Sequence, residues 1–585
     1  MNQEAINYVR ALKPAGMPDG ESILEKGREI GRTITMKRSL FLEQNGYDTY
    51  EDFVQENIRE GKITWEIFMG LATLEEQKQA IKDIYEFVQR TGCQLNTIEI
   101  ISSPLMALPK EYRETAAKPT SFTMDKTEDW LEMQTAPIEL IFADHHLASP
   151  NALESTINAV KAGSPRVGLV AQFFWGQQGF TDHRQHMIDF VTSLGIVSSK
   201  YDDHISVDSY MDDGFPGYAM DCVTYVGYAL LEHYIVHDLC HVRYQTGLGG
   251  LLKEQKSRAA IAVAIHQLLS TEEQRAISYM NGSTVTQWEH DIKANFGSSG
   301  EEIMFDCLVE RHYKMGMALN TIGIAERIAV PTAQDLMDIC SVGNRALEGA
   351  KYWEDMLDWS SMDEIVEYLK AEGKLFFENT LKVLEAAGIN IKDPLEIFMT
   401  LKSMNPNRFE KTFHHRVGEN GTLTPKYPTV LGRQTVEMRE EIVADIKSKG
   451  VQADALAGKK VVVVSGDGHT YGIVVVDAVL SEMGAEVVNG GVDIDPPTAL
   501  DLADEEGTKY IGISVHNGQG LDYAKQILEL AAKRKKEYHI FMGGKLNAIL
   551  PGDSVPTEVA DKICDLGILA TEDLYEQVCM IRDTE

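Results

Sequence analysis

The chain has 585 residues, of which 44% are hydrophobic and 25% charged, and a formal net charge of −34. That length exceeds a single core, so two or three domains of ordinary globular composition are expected. The acidic balance argues against nucleic acid or an anionic membrane as partner.

Cys93, Cys222, Cys240, Cys307, Cys340, Cys564 and Cys579 are scattered without C-x-x-C spacing. That excludes a zinc ribbon and points to a reducing compartment, with each thiol read as a small buried hydrophobe. No apolar stretch reaches the length of a membrane span, and the first residues lack the basic and apolar regions of a signal peptide. A cytoplasmic protein with no membrane partner is expected.

In chain order, a helical N-terminal stretch precedes short apolar runs at Thr33–Met36, Thr97–Ile101, Ile138–Phe142, Val167–Phe173, Ile205–Val207, Tyr234–Leu239, Ala276–Met280 and Arg327–Val330. Helical patterning lies between them at Asn151–Ala162, Arg184–Leu194, Ala219–Glu232, Lys256–Leu269 and Gly300–Leu319. Eight strands alternating with helices fit an α/β fold of the (β/α)8 TIM-barrel type. From Gln334 to Met404 the pattern is helical throughout, as in Met362–Ala371 and Leu375–Ala387, so residues 1–404 are expected to be a barrel with additional helices. Residues 405–458, rich in Pro, Gly, Asn and Lys around helix Val436–Ser448, read as a linker. In residues 459–585, strand candidates at 461–465, 486–489, 509–515, 539–542 and 567–569 are each followed by a helix, the last at Asp573–Ile581. That pattern predicts a flavodoxin-like (Rossmann-like) doubly wound sheet. The basic run Lys533–Lys536 reads as a solvated helix end favoured by the helix dipole.

The apolar run Val461–Val464 ends in Ser465-Gly466-Asp467-Gly468-His469-Thr470-Tyr471-Gly472, and the amphipathic run Ile473–Met483 follows at once. This predicts a buried parallel strand, a tight loop and a helix, and in an open α/β sheet such loops hold ligands. A His in that loop can offer a ring nitrogen to a metal while the Asp two positions earlier holds the other ring N–H. Taken alone, the hexapeptide is better explained by an ordinary loop His capping a helix. Two further strands end in comparable loops, Tyr510–Val515 in His516-Asn517-Gly518-Gln519-Gly520 and His539–Met542 in Gly543-Gly544-Lys545.

Taken together, Asp467-x-His469-x-x-Gly472, Ser514 and the pair Gly543-Gly544 resemble the signature of the cobalamin-binding domains of mutases and methyltransferases, over about residues 455–585. The resemblance implies that His469 is the lower cobalt ligand, oriented by Asp467, and that the displaced nucleotide tail enters the domain. It further implies that Ser514 hydrogen-bonds the tail base, while Gly543 and Gly544 allow the tail close to the backbone. His516 stands where that family usually has Leu.

Ser514–Gly520, with its Gly-Gln-Gly, is similar to the small subunit of glutamate mutase, and Val223–Glu232 and Val236–Gly250 are similar to that enzyme's barrel subunit. This resemblance implies an adenosylcobalamin-dependent radical isomerase of the glutamate mutase and 2-methyleneglutarate mutase group, a homodimer acting on a small dicarboxylic acid. A hydrogen would leave the substrate, a vicinal group migrate and the hydrogen return. The alternative is a corrinoid-dependent methyltransferase with the Gln334–Met404 helices as cap. An aminomutase would need pyridoxal phosphate and a Schiff-base Lys, for which no candidate stands out; a cobalamin sensor or carrier would rarely need a barrel.

Departures from the group bear on the substrate. Ala143–Ala148 carries His145 and His146 where an arginine that grips carboxylate is expected, and Ala171–Gly179 has no acid near the expected amino-group partner. A 2-methyleneglutarate-like acid is therefore favoured over an amino acid, with His145, His146, Arg243 and Arg38 as candidate carboxylate donors. His145 and His146 follow a strand and so face the barrel opening or form a structural pair. Asp203, His204 and Asp208 fit a salt-linked loop as well as catalysis. Buried polar groups are costly unless satisfied, so His237, Asp238, His241, Arg243 and Tyr244, around Tyr234–Leu239, are the leading barrel candidates. Arg243 would bind carboxylate or cofactor amides, and His241 or Tyr244 would steady the migrating radical. Phe174 and Trp175 are expected to pack. The pairs His183/His186 and His237/His241 lack an accompanying acid motif of the H-E-x-x-H type, so a protein-bound zinc is not expected.

Overall fold

A computed structural model describes residues 3–584 except 115, 117–120, 178–179, 213–214, 216–218, 250–251, 253, 272–274, 282–290, 317, 322, 325–330, 418–422, 468–470, 493, 517 and 549–556. The chain divides into two compact units, one of Met1–Glu114, Lys118–Phe174 and Asp182–Leu431, the other of Thr115–Ala117, Trp175–Thr181 and Gly432–Glu585.

The first unit carries eight parallel strands: β1 (Thr64–Met69), β2 (Thr97–Ile100), β3 (Glu139–Ile141), β4 (Arg166–Val167), β5 (Ser206–Tyr210), β6 (Arg243–Leu248), β7 (Ser278–Asn281) and β8 (Ala318–Thr321). Helices cross between them, and local signals start and stop these helices. Helix Leu74–Thr91 opens on a capping box between Thr73 and Glu76 and ends at Gly92 in the left-handed region. The strand order is β3-β2-β1-β8-β7-β6-β5-β4. At its two ends, β3 and β4, one isolated parallel bridge joins Phe142 to Val167, so the hydrogen-bonded ladder is not a closed barrel. The sheet is nevertheless rolled. Neighbouring strands lie about 4.8 Å apart, so a flat sheet in this order would hold β2 and β4 roughly 29 Å apart. Yet Arg166 on β4 reaches Glu99 on β2 at 2.7 Å.

Several elements differ from the sequence expectation. Thr33–Met36 forms no strand. Tyr234–Leu239 is a π-helix that prolongs helix Cys222–His233, because no Gly or Pro interrupts this apolar stretch, and a short apolar run does not distinguish a buried helix from a strand. Val167–Phe173 contributes only Val167 to the two-residue β4 and then enters a 3-10 turn, Val170–Phe174. Arg327–Val330 lies outside the described residues. The apolar pattern predicts no strand at β1, β6 or β8, where Glu66, Gln245 and Asn320 interrupt it. Met362–Ala371 and Leu375–Ala387 belong to one helix, Ser360–Ala387, whose Gly373 lies against Val226 so closely that a Cβ would stand 2.5 Å from it. The stretch read as a linker contains helices Pro406–Phe413 and Val430–Ser448.

The second unit carries β9 (Lys460–Ser465), β10 (Glu486–Gly491), β11 (Tyr510–Ser514), β12 (His539–Gly543), the short antiparallel pair β13 (Asn547–Ala548) and β14 (Thr557–Glu558), and β15 (Leu569–Ala570). Its five-stranded parallel sheet has the order β10-β9-β11-β12-β15. Counted along the chain this is 2-1-3-4-5, the doubly wound Rossmann-like order, which reverses between β9 and β11. Val461 to Val464 and Ile511 are buried, as a parallel sheet covered on both faces requires.

Candidate functional site

In the second unit the loops after β9 and β11 meet at the reversal of strand order, where doubly wound sheets hold ligands. Gly466 N–H donates to the Ser514 carbonyl at 2.8 Å, tying the two loops. A side chain at Gly466 would run into the Tyr523 ring, 2.8 Å from its Cβ. Asp467 is buried, and its carboxylate accepts the His516 backbone N–H at 2.5 Å and the Ser465 hydroxyl at 3.3 Å. The His516 ring Nδ1 lies 3.8 Å from the same carboxylate. Thus His516, in the position usually held by Leu, faces Asp467. His469, the expected cobalt ligand, lies outside the described residues together with Gly468 and Thr470.

Gly472, in the first turn of helix Tyr471–Glu482, stands over Ser514. A Cβ at 472 would lie 2.5 Å from Ser514 Oγ and 3.7 Å from His516 Cε1. Ser514 Oγ is buried and has no hydrogen-bond partner among the described residues. Gly544 has φ +94°, and a Cβ there would lie 2.6 Å from the Val515 carbonyl and 3.0 Å from His516 Cε1. Gly543 accepts the Val515 N–H at 3.1 Å through its carbonyl. The structure therefore brings Asp467, Gly472, Ser514, Gly543 and Gly544 together around His516. A hydroxyl left unpaired in a buried place costs free energy, so it marks a position where a ligand acceptor or donor is missing.

In the first unit, the rolled sheet gathers a charge cluster that the sequence did not reveal. Arg166 (β4) meets Glu66 (β1) at 2.5 Å, Glu99 (β2) at 2.7 Å and Asp208 (β5) at 2.8 Å. Tyr279 (β7) donates to Asp208 at 2.6 Å and its ring lies 4.8 Å from the guanidinium. Burial pushes Glu99 well above the usual carboxylate range, with Arg166 pulling it down and Glu66 and Asp208 pushing it further up. Burial likewise raises Asp208, against the pull of Arg166. One guanidinium faces three carboxylates, so burial and mutual repulsion both favour the protonated form of Glu99. The available signal was a lone charge inside each apolar strand: Trp65-Glu66-Ile67, Ile98-Glu99-Ile100 and Val207-Asp208. Asp208 thus sits within β5, in an ion cluster rather than a loop.

His145 and His146 follow β3 at its carboxyl end. His145 adopts φ +62°, a conformation that costs energy for a residue with a side chain. Its backbone N–H donates to Gln172 Oε1 at 3.2 Å, its Nε2 lies 3.3 Å from Asp144, and Gln172 donates to Asp144 at 2.7 Å. His146 is fully buried against the Trp130 ring, with centroids 4.7 Å apart, and its Nε2 lies 3.4 Å from Ser102 Oγ. Burial, helped by His145, holds its imidazole well below the usual range and so neutral.

His241, Arg243 and Tyr244 occupy the opposite end. Because Tyr234–Leu239 is helical, these residues precede β6 or begin it instead of closing a strand. Arg243 donates to the Tyr201 carbonyl at 2.9 Å and lies over the Tyr201 ring at 4.5 Å, while the His241 ring stacks on Tyr201 at 4.0 Å. Tyr244 and Tyr228 donate to Glu232 at 2.6 and 2.8 Å. Burial raises Glu232 to about 7 despite the hydrogen bonds from Tyr244, Ser209 and Tyr228. His186 lies buried with its Nε2 2.8 Å from the Ala148 carbonyl.

Residues 460–574 match the B12 binding domain. No curated protein matches the chain. Among solved structures, a novel cobalamin-binding protein from Desulfitobacterium hafniense DCB-2 is 16% identical, with a TM-score of 0.20, over 40% of this chain and 97% of that one. The carboxyl transferase domain of Rhizobium etli pyruvate carboxylase, solved with pyruvate and biocytin, is 11% identical, with a TM-score of 0.33, over 72% of this chain and 60% of that one. At those TM-scores neither likeness adds to the fold argument. The B12-binding match covers the loops just described, and their chemistry fits a cobalamin: a buried hydroxyl awaits a partner, and glycines stand where side chains would fill the space beside it.

Proposed function

We propose that the protein is an adenosylcobalamin-dependent isomerase of the glutamate mutase and 2-methyleneglutarate mutase kind, rearranging the carbon skeleton of a small dicarboxylic acid. The observation that carries the cofactor part is the buried Ser514 hydroxyl against Gly472, which has no partner among the described residues and lies within the B12-binding match. For the first unit this reading takes the eight strands as a (β/α)8 barrel. Its supports are the strand order, the Arg166–Glu99 pair that requires a rolled sheet, and the Phe142–Val167 bridge between the sheet's ends. An enclosed sheet that excludes water suits radical chemistry better than methyl transfer to a soluble thiol.

Adenosylcobalamin supplies, when bound, a cleavable cobalt–carbon bond as a radical source. The chain's own residues do the rest. Asp467, held by the His516 N–H and Ser465, is assigned to accept a ring N–H of His469 and so fix its tautomer, as the resemblance implies. Ser514 is assigned a hydrogen bond to the nucleotide tail, and Gly472, Gly543 and Gly544 keep its path free of side chains. His145, steadied by Asp144 at the carboxyl end of β3, is assigned to a substrate carboxylate, and the neutral His146 to shape the adjoining pocket wall. His241, Arg243 and Tyr244 are assigned to holding Tyr201 and Glu232.

The test is an anaerobic electron paramagnetic resonance spectrum of the full chain mixed with adenosylcobalamin and either 2-methyleneglutarate or glutamate. A signal that needs both cofactor and acid is expected. Turnover of methylcobalamin with a thiol or folate, and no paramagnetic signal with any dicarboxylate, would establish the methyltransferase alternative instead.

A further inference from the structure

The π-helical turn Tyr234–Leu239 creates a juxtaposition that an α-helix would not. In an α-helix each residue turns about 100°, so residue i+4 lies near residue i, whereas i+5 falls roughly 140° away. A turn closed by i→i+5 bonds takes about one residue more, so i+4 and i+5 fall on either side of i. Here i is His233, i+4 is His237 and i+5 is Asp238. The two imidazole rings lie face to face with centroids 4.5 Å apart and planes 18° apart. His237 Nδ1 lies 2.9 Å from Asp238 Oδ1. One ligand atom from each of the three side chains lies within 4.8 Å of the others. Ile235 and Val236 are buried and anchor the turn, while His237 and Asp238 reach solvent.

We propose that His233, His237 and Asp238 form a binding site for a divalent transition metal of the zinc, nickel or copper type. Two imidazoles and a carboxylate are the borderline ligand set that selects those ions over magnesium or calcium. Donors around a tetrahedral zinc stand roughly 3.4 Å apart, given metal–ligand distances of about 2.1 Å. Closing the 4.8 Å spread requires the stacked imidazoles to turn so that their in-plane lone pairs converge, a movement open to the partly exposed His237 and Asp238. Three protein ligands leave at least one coordination position to water. The site precedes β6, at the amino end of the strands, and its residues are not used in the cofactor assignment, so it stands or falls independently of that reading.

The experiment is titration of the chelator-treated, cobalamin-free full chain with Zn2+ by calorimetry, with Cu2+ spectra recorded in parallel. One Zn2+ per chain is expected, with nitrogen hyperfine structure from two imidazoles in the Cu2+ spectrum. His237→Ala and His233→Asn are each expected to weaken Zn2+ by about tenfold or more, and Asp238→Asn by about tenfold. His539→Ala, in the second unit, should leave the affinity unchanged. Because the His237 side chain is 39% exposed, its variant tests the site even if the half-buried His233 variant misfolds. Unchanged Zn2+ affinity in His237→Ala, or copper spectra without two nitrogens, would overturn the proposal.

Discussion

Replacing Ser514 by Ala should move the free and the cofactor-loaded protein in opposite directions. In the free protein the hydroxyl is buried without a partner among the described residues, against the space left by Gly472. An unsatisfied buried hydroxyl costs about 1–3 kcal/mol, and removing it gives back part of that, less a few tenths for lost packing. A net gain of about 1 kcal/mol would raise the midpoint of the second unit by roughly 2–4 °C. With cobalamin bound, the same change removes one hydrogen bond worth about 0.5–1.5 kcal/mol, a loss of roughly 2- to 12-fold in affinity. Thermal unfolding of the cobalamin-free variant and calorimetric titration with cobalamin read the two halves separately. Were Ser514→Ala to destabilise the free protein by more than about 1 kcal/mol, the hydroxyl would have a structural partner and would not mark a ligand position. An unchanged affinity would remove Ser514 from the tail-binding role.

Two further predictions concern the buried charges of the first unit. Arg166→Met leaves Glu66, Glu99 and Asp208 facing one another, and removing one partner of a buried ion cluster costs about 3–5 kcal/mol. The loss should be larger at pH 8 than at pH 5, where the raised carboxyls can stay protonated, and denaturant unfolding at the two values checks this. A loss below about 1 kcal/mol at pH 8 would mean that the cluster is solvated. Glu139 is raised to about 8 by burial, against hydrogen bonds from Ser39 and the backbone N–H of Leu140. A carboxyl whose folded value lies above its unfolded value binds the extra proton in the fold, so its stabilising effect is full below the unfolded value and disappears as pH rises to about 8. Glu139→Gln should therefore flatten the pH dependence of stability between pH 5 and 8 and raise the relative stability at the alkaline end. An unaltered slope in unfolding experiments across that range would assign the proton elsewhere.

The two units were legible in the sequence to different depths, and burial explains the difference. A parallel strand covered on both faces is apolar throughout, so Val461–Val464 and Tyr510–Val515 announce themselves, and the glycines and serine at their ends show where the chain turns toward a ligand. In the first unit the rolled sheet turns one face inward, and that interior is polar: Glu66, Glu99, Arg166, Asp208 and Tyr279 interrupt the very strands that carry them. Lone charges within apolar runs lower a strand's apparent hydrophobicity while marking a strand that contributes to a shared network. The opposite error arose at Cys222–Leu239, where a buried helix reads on into a π turn without a breaking residue and its last apolar turn imitates a strand. That one misplacement moved His241, Arg243 and Tyr244 from the start of β6 to the end of an imagined strand, and with them the apparent chemistry. A polar cluster inherits a role from the end of the strand it occupies, so the direction and limits of the strand must be settled before the cluster is given one.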